Sequence, residues 1–190
     1  MVKIGEEIPD MKFDVFHNND FKNLGFSAFK RKWLVLMFYP ADFTFVCPTE
    51  LEEAAENYEK FKALNAEIIS ISTDTKFSHF AWHESSKAIA KIKYPMAADP
   101  TGKICKEFGT YIEAGEDAGL SLRGTFIVSP DGVLKAMDIH DNSIGRSAEE
   151  ILRKLEAAVY VSGHEGEVCP ASWKPGKQTL KPGAALVGKI

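Results

Sequence analysis

The chain has 190 residues, 45% of them hydrophobic and 26% charged, with a net charge of −4, the balance of one globular domain rather than of a disordered chain. At this length roughly two thirds of the unfolded surface is buried on folding, so no disulfide or metal staple is needed. The lack of basic excess argues against nucleic acid, no apolar run approaches the roughly 18 residues of a membrane helix, and the opening Met1-Val2-Lys3-Ile4-Gly5-Glu6-Glu7 lacks the apolar centre of a signal peptide; a cytoplasmic protein is expected.

In chain order, the first strong element is Trp33-Leu34-Val35-Leu36-Met37-Phe38-Tyr39, a continuous apolar run stopped by Pro40 and predicted as a strand buried on both faces. Beyond Pro48 the period changes. Leu51, Ala54, Ala55, Tyr58 and Phe61 fall at helical spacing, with Glu52, Glu53, Glu56 and Lys60 between them. Residues 66–72 predict a second buried strand, residues 76–90 a helix, and residues 101–108 a short helix, preceded by a short strand and ending at Gly109. Residues 124–129 and 133–140 flank the turn sequence Pro130-Asp131-Gly132 and predict a hairpin. Ser147 and Glu150, at capping-box spacing, open a last helix to about Val161. This order predicts an α/β fold, a central mixed sheet flanked by helices, over residues 1–162. From Gly163 the residues Gly166, Pro170, Pro175, Gly176, Pro182 and Gly183 punctuate a segment without period, so residues 163–190 predict an extended C-terminal tail.

The cysteines are Cys47, Cys105 and Cys169. Three cysteines without a CxxC or a His/Cys pair at zinc spacing argue against a disulfide framework and a closed metal site. That leaves packing or redox chemistry. Cys47 lies where the buried strand passes into the amphipathic helix. Either Cys47 caps the helix with Pro48 at its first position, or Asp42 or Thr44 caps it and Cys47 falls in the first turn. Both alternatives put the sulfur at the positive end of the helix, which favours thiolate, the nucleophilic form. Full ionisation of a thiol with a pKa near 8.5 gains only roughly 30-fold at pH 7, so fast chemistry also needs donors for the charge that grows on a leaving atom. Thr44, three residues before Cys47, offers a hydroxyl. Arg123, at the mouth of the predicted strand 124–129, offers a guanidinium.

The run Phe38-Tyr39-Pro40, continuing through Asp42-Phe43-Thr44-Phe45-Val46-Cys47-Pro48-Thr49-Glu50, resembles the active-site signature of the peroxiredoxins. Val168-Cys169-Pro170-Ala171, followed by Trp173, resembles the resolving-cysteine motif of the typical 2-Cys class, and the ending Leu186-Val187-Gly188-Lys189-Ile190 resembles the bacterial alkyl hydroperoxide reductase C branch. The resemblance implies a thioredoxin-like fold with insertions and a thiol peroxidase acting on hydrogen peroxide and alkyl hydroperoxides. It makes Cys47 the peroxidatic cysteine, Thr44 and Arg123 the groups that bind the peroxide oxygens, and Pro40 a shield for the sulfur. It makes Cys169 the resolving cysteine, paired with Cys47 in a disulfide that in the family joins two protomers; from the sequence alone, pairing within one chain stays open. Glu50 and Arg146 resemble a supporting pair, which an ordinary salt bridge would explain equally well. The resemblance further implies a homodimer, rings of five dimers, and a flavoprotein or thioredoxin-like disulfide reductase as electron donor, with no cofactor or metal. The Gly-Gly-Leu-Gly insertion and C-terminal Tyr-Phe helix of easily over-oxidised members do not occur here, so a peroxide-robust enzyme is expected.

Other features have plainer readings. Cys105 sits beside residues of a packed helix face and is expected to be packing. His79 and His83, four apart on the helix predicted over 76–90, have no third ligand and are expected to be surface or partly buried. A Cys47–His protease dyad lacks any surrounding signature. Phe43, Phe45, Phe77, Phe80 and Trp82 are more simply core than interface. A holdase chaperone or redox-relay binding protein is the alternative function, and Cys47→Ser separates it from the peroxidase.

Overall fold

A computed structural model describes residues 1–189. Two compact units divide the chain, the first spanning Met1–Ala148 and the second beginning at Glu149. The first holds strands β1 (Lys12–His17), β2 (Asp20–Gly25), β3 (Trp33–Phe38), β4 (Ala66–Ser72), β5 (Met96–Ala98), β6 (Arg123–Val128) and β7 (Leu134–His140). Its helices are α1 (Cys47–Glu56), α2 (Tyr58–Ala63), α3 (Lys76–Ser85) and α4 (Lys103–Glu107). The seven strands form one mixed sheet in the order β2-β1-β5-β4-β3-β6-β7. β3–β4 and β4–β5 pair in parallel, and the remaining pairs are antiparallel.

Every residue of β3, β4 and β6 is buried, and β3 is accordingly a continuous apolar run rather than an alternating one. On one face Leu34, Leu36, Phe38, Ile69, Ile71 and Phe126 pack with Cys105 and Phe108 of the α4 region. Phe38, Phe108 and Phe126 form an aromatic triangle with centroids 4.9 to 5.3 Å apart, contacts that add to the area they bury. Gly124 is obligatory in this packing, because a Cβ there would lie 2.6 Å from Cγ2 of Thr110.

Three elements depart from the sequence expectation. The β1–β2 hairpin was not anticipated; its signal is Asn18-Asn19, both at positive φ (53° and 56°), a two-residue turn of residues that tolerate this region. The helix expected through Phe61 breaks at Asn57, whose side chain donates to the Glu53 carbonyl at 2.9 Å alongside its own N–H, a local bond that competes with helix propagation. The helix expected over 76–90 ends at Ser85, where Ser85 donates to the Ala81 carbonyl and Ser86 leaves helical geometry; a 3₁₀ turn follows at Ile89–Lys91.

In the second unit, α5 (Ala148–Ser162) leads into the glycine- and proline-punctuated tail. One antiparallel bridge joins Val168 and Leu180. Trp173 packs on Tyr160 at 4.9 Å and donates its indole N–H to the Lys177 carbonyl. No helix of the described residues is long and apolar enough to cross a membrane.

Candidate active site

β3 delivers the chain to Tyr39 and Pro40, both buried, and α1 receives it at Cys47. Val46 is the residue preceding the helix, and its carbonyl accepts from the N–H groups of Thr49 and Glu50 and from the Thr49 hydroxyl. The caps expected at Cys47, Asp42 or Thr44 are therefore not formed. Asp42 is engaged beneath the loop instead, and Thr44 donates its hydroxyl to the Ala41 carbonyl at 2.9 Å. Cys47 is the first helical residue and Pro48 the second, where a missing N–H costs nothing. The sulfur thus lies at the positive end of α1 beside N–H groups that the helix leaves unpaired.

Cys47 is 0% exposed, yet its surroundings are charged. Arg123, the first residue of β6 and 3% exposed, donates from Nη1 to Sγ at 3.4 Å and to Oε2 of Glu50 at 2.8 Å. Its Nε donates to the Asn142 carbonyl at 2.9 Å, which fixes the plane of the guanidinium. Glu50, one turn after Cys47 on α1, is gripped from its other side by Arg146. Arg146 donates from Nε to Oε1 (3.0 Å), from Nη2 to Oε2 (3.0 Å) and from its backbone N–H to Oε1 (2.7 Å). Its Nη1 is satisfied by the Gly124 carbonyl and the Thr125 hydroxyl. Burial pushes the Glu50 carboxyl up, but the hydrogen bonds and charge of Arg146, with the charge of Arg123, outweigh it and hold the group below the usual carboxylate range. The result is two guanidinium groups on one carboxylate, with the second bond of Arg123 directed at sulfur.

Of the residues singled out in the sequence, Cys47, Glu50, Arg123 and Arg146 are brought into one bonded cluster. Thr44 is half-buried on the preceding loop, and Pro40 is buried at its start. Cys169 belongs to the second unit. There it is half-buried, 4.0 Å from the Ala157 carbonyl, and its thiol is pushed up by burial and the Glu167 carboxylate against the opposing charge of Arg153. Glu167 also ties this segment down, accepting from Tyr160 and Thr179. All three cysteines are free thiols. Among the described residues no group of three His, Cys, Asp or Glu side chains is placed to hold a metal ion.

Two expectations need correction. His79 is not a surface residue; it is 0% exposed, and its Nδ1 lies 2.8 Å from Oδ2 of Asp42. No local signal pairs two residues 37 positions apart. Phe43 (57% exposed), Phe45 (92%), Phe77 (61%) and Phe80 (40%) are not core, and of the five aromatics named only Trp82 is.

The chain matches the AhpC/TSA family over residues 4–137, and residues 160–185, which include Cys169, match the C-terminal domain of 1-Cys peroxiredoxin. It is 47% identical to alkyl hydroperoxide reductase C of Pseudomonas aeruginosa and 47% identical to that of Escherichia coli, in each case over all of both chains. Among solved structures, it is similar to Enterococcus faecalis AhpC (TM-score 0.84, 43% identity, 90% of this chain and 100% of that one). It is also similar to the reduced 2-Cys peroxiredoxin of Plasmodium vivax (TM-score 0.89, 32% identity, 96% of this chain and 95% of that one).

Proposed function

Because the chain belongs to the AhpC/TSA family and is a peroxiredoxin, a thiol peroxidase that reduces peroxides, we propose that Cys47 is its peroxidatic cysteine and Cys169 its resolving cysteine. The observation that carries the reading is the 3.4 Å hydrogen bond from Arg123 Nη1 to a sulfur on the first residue of α1. In the first step the Cys47 thiolate attacks the terminal peroxide oxygen. An S–O bond forms, the O–O bond breaks, and its electron pair leaves on the other oxygen, which takes a proton to become water or alcohol. Arg123 stabilises the charge that develops on this leaving oxygen, in a site where a fixed donor is worth more than in water. The Thr44 hydroxyl hydrogen is committed to the Ala41 carbonyl, so its lone pairs accept from the peroxide O–H. Glu50 and Arg146 hold Arg123 in place, and Pro40 shields the sulfur.

In the second step the Cys169 thiol condenses with the Cys47 sulfenic acid, releasing water and forming a disulfide. Bridged cysteines need Cα atoms within about 7 Å, so the first turn of α1 unwinds to release Cys47. The disulfide joins the two protomers of a homodimer, and five dimers form a ring; the exposed Phe43, Phe45, Phe77 and Phe80 support such assembly. A flavoprotein or thioredoxin-like reductase returns two electrons. The substrates are hydrogen peroxide and alkyl hydroperoxides, and the location is the cytoplasm.

Stopped-flow peroxide reduction tests the assignment. Cys47→Ser should be inert, and Cys169→Ser should react once and then stall without added thiol. A Cys47→Ser protein that still turns over peroxide overturns it. On a non-reducing gel the oxidised wild type should run as a dimer, and a monomer band would refute the bond between protomers.

A further inference from the structure

Beneath the loop that leads to Cys47 lies a buried polar cluster that this chemistry does not use. Tyr39 donates its hydroxyl to Oδ1 of Asp42 at 2.8 Å, and Oδ2 of Asp42 meets Nδ1 of His79 at 2.8 Å. His79 Nε2 lies 3.1 Å from the Ala97 carbonyl. A carbonyl only accepts, so Nε2 carries a proton, and one more proton lies between Nδ1 and Oδ2. The backbone N–H of Asp42 donates to Oδ2 of Asp74 at 2.8 Å, and the same oxygen accepts from Ser72 at 2.7 Å. Asp42 is thereby tied to the end of β3, to the segment after β4 and to α3. The His79 and Asp42 side chains are 0% and 1% exposed.

The loop above this anchor is strained. Phe43 has φ of +57°, a region disfavoured for a bulky side chain and kept only where its surroundings over-determine it. Thr44 closes the same turn through its bond to the Ala41 carbonyl. Phe43 rests its ring 5.9 Å from that of Trp82 on α3.

We propose that Asp42 and His79, with Tyr39, are positioning residues for the first chemical step: they lock the turn of residues 41–44 so that the Thr44 hydroxyl is held for the peroxide. The anchor acts upstream of α1 and leaves the first turn of that helix free to unwind in the second step. The inference rests on the assignment of Cys47 and Thr44 proposed above.

Single-turnover stopped flow on the full-length protein separates the bimolecular oxidation of Cys47 from the later unimolecular formation of the disulfide. Asp42→Ala should slow the first step by at least about tenfold, the scale of a small misplacement of a reacting group, and change the second by less than about threefold. Asp42→Asn should regain most of the loss, since its amide oxygen accepts from Tyr39 and its NH₂ donates to the neutral, Nε2-protonated His79. Equal slowing of both steps by Asp42→Ala, or no recovery with Asn, overturns the proposal in favour of a merely structural role. If Asp42→Ala does not fold, Tyr39→Phe, which deletes one hydroxyl, decides: the first step alone should slow by about threefold or more, and parity with wild type refutes the proposal. Cys47→Ser is run alongside. Its turnover of peroxide would defeat the assignment of Cys47, whereas an inert Cys47→Ser with Asp42→Ala at wild-type rates defeats the positioning role alone.

Discussion

Cys47 and Cys105 share most of what is usually invoked for a cysteine. Both are free, both are 0% exposed, and both lie in the first turn of a helix. They differ in the charge beside the sulfur. Cys47 has the guanidinium of Arg123 within hydrogen-bonding distance. Cys105 has the carboxylate of Asp99, whose Oδ2 accepts the Cys105 backbone N–H at 2.8 Å, and its thiol is pushed up to about 12, first by burial and then by the charge of Asp99. Burial and helix position are common to the two, so neither distinguishes the two sulfurs. The charged neighbour does, and for Cys47 that neighbour sits on a strand 76 positions away.

The contrast breaks most directly at Cys47 itself. Cys47→Ser should lower peroxide consumption, measured with excess dithiol, by a factor on the order of 10³ or more. A substantial residual rate lost only on adding Cys105→Ala would mean the two thiols are closer in reactivity than their surroundings imply. The next largest effect is expected from Arg146→Ala, which leaves Glu50 buried with half its partners and should cost roughly 3–5 kcal/mol of folding stability by urea titration. This loss depends on pH in a defined sense. Glu50 is depressed below 4.5 in the folded protein, so its contribution is present above that value and lost as pH falls through the lower folded value. The gap between wild type and Arg146→Ala should therefore narrow below about pH 4.5. A gap independent of pH would show that the arginine acts by packing alone.

Arg123→Lys sharpens the comparison, because it keeps the charge but removes the fork that reaches sulfur and Glu50 together. The bimolecular rate with hydrogen peroxide should fall by roughly 10²-fold, the usual effect of losing one preorganised donor. A fall of less than threefold would assign the effect to charge rather than geometry.

The sequence made Cys47 and the strand-to-helix passage around it legible because they are contiguous: an apolar run, Pro40, Thr44, Cys47 and an amphipathic helix follow one another within thirty residues. Arg123 was legible as a guanidinium at the mouth of a predicted strand, but its bond to Cys47 was not, since the β3–β6 register makes it rather than spacing. The same limit hid the Asp42–His79 pair, which joins a loop to a helix across the fold. Local competition was missed for a different reason. Asn57 and Ser85 interrupt helices through local side-chain bonds to the backbone, whereas apolar periodicity continued past both. The exposed phenylalanines show the converse failure, because composition reports that a residue is apolar but not that a loop (Phe43, Phe45) or a helix face (Phe77, Phe80) turns it outward.

The smallest effect is expected at Cys105. Its sulfur packs in the core with Phe108 and Phe126, so Cys105→Ala removes one atom from a close-packed site and should cost about 1 kcal/mol of stability. The peroxide rate should change by less than about twofold, since nothing in the Cys47 cluster touches it. Labelling of the native protein with iodoacetamide at pH 8 should modify Cys105 far more slowly than Cys47, at a rate set by local unfolding rather than by thiolate supply, because a group titrating near 12 is almost wholly neutral there. Comparable labelling of the two would show that the Asp99 carboxylate does not suppress the thiolate, and the charged neighbour would then not distinguish these two buried sulfurs.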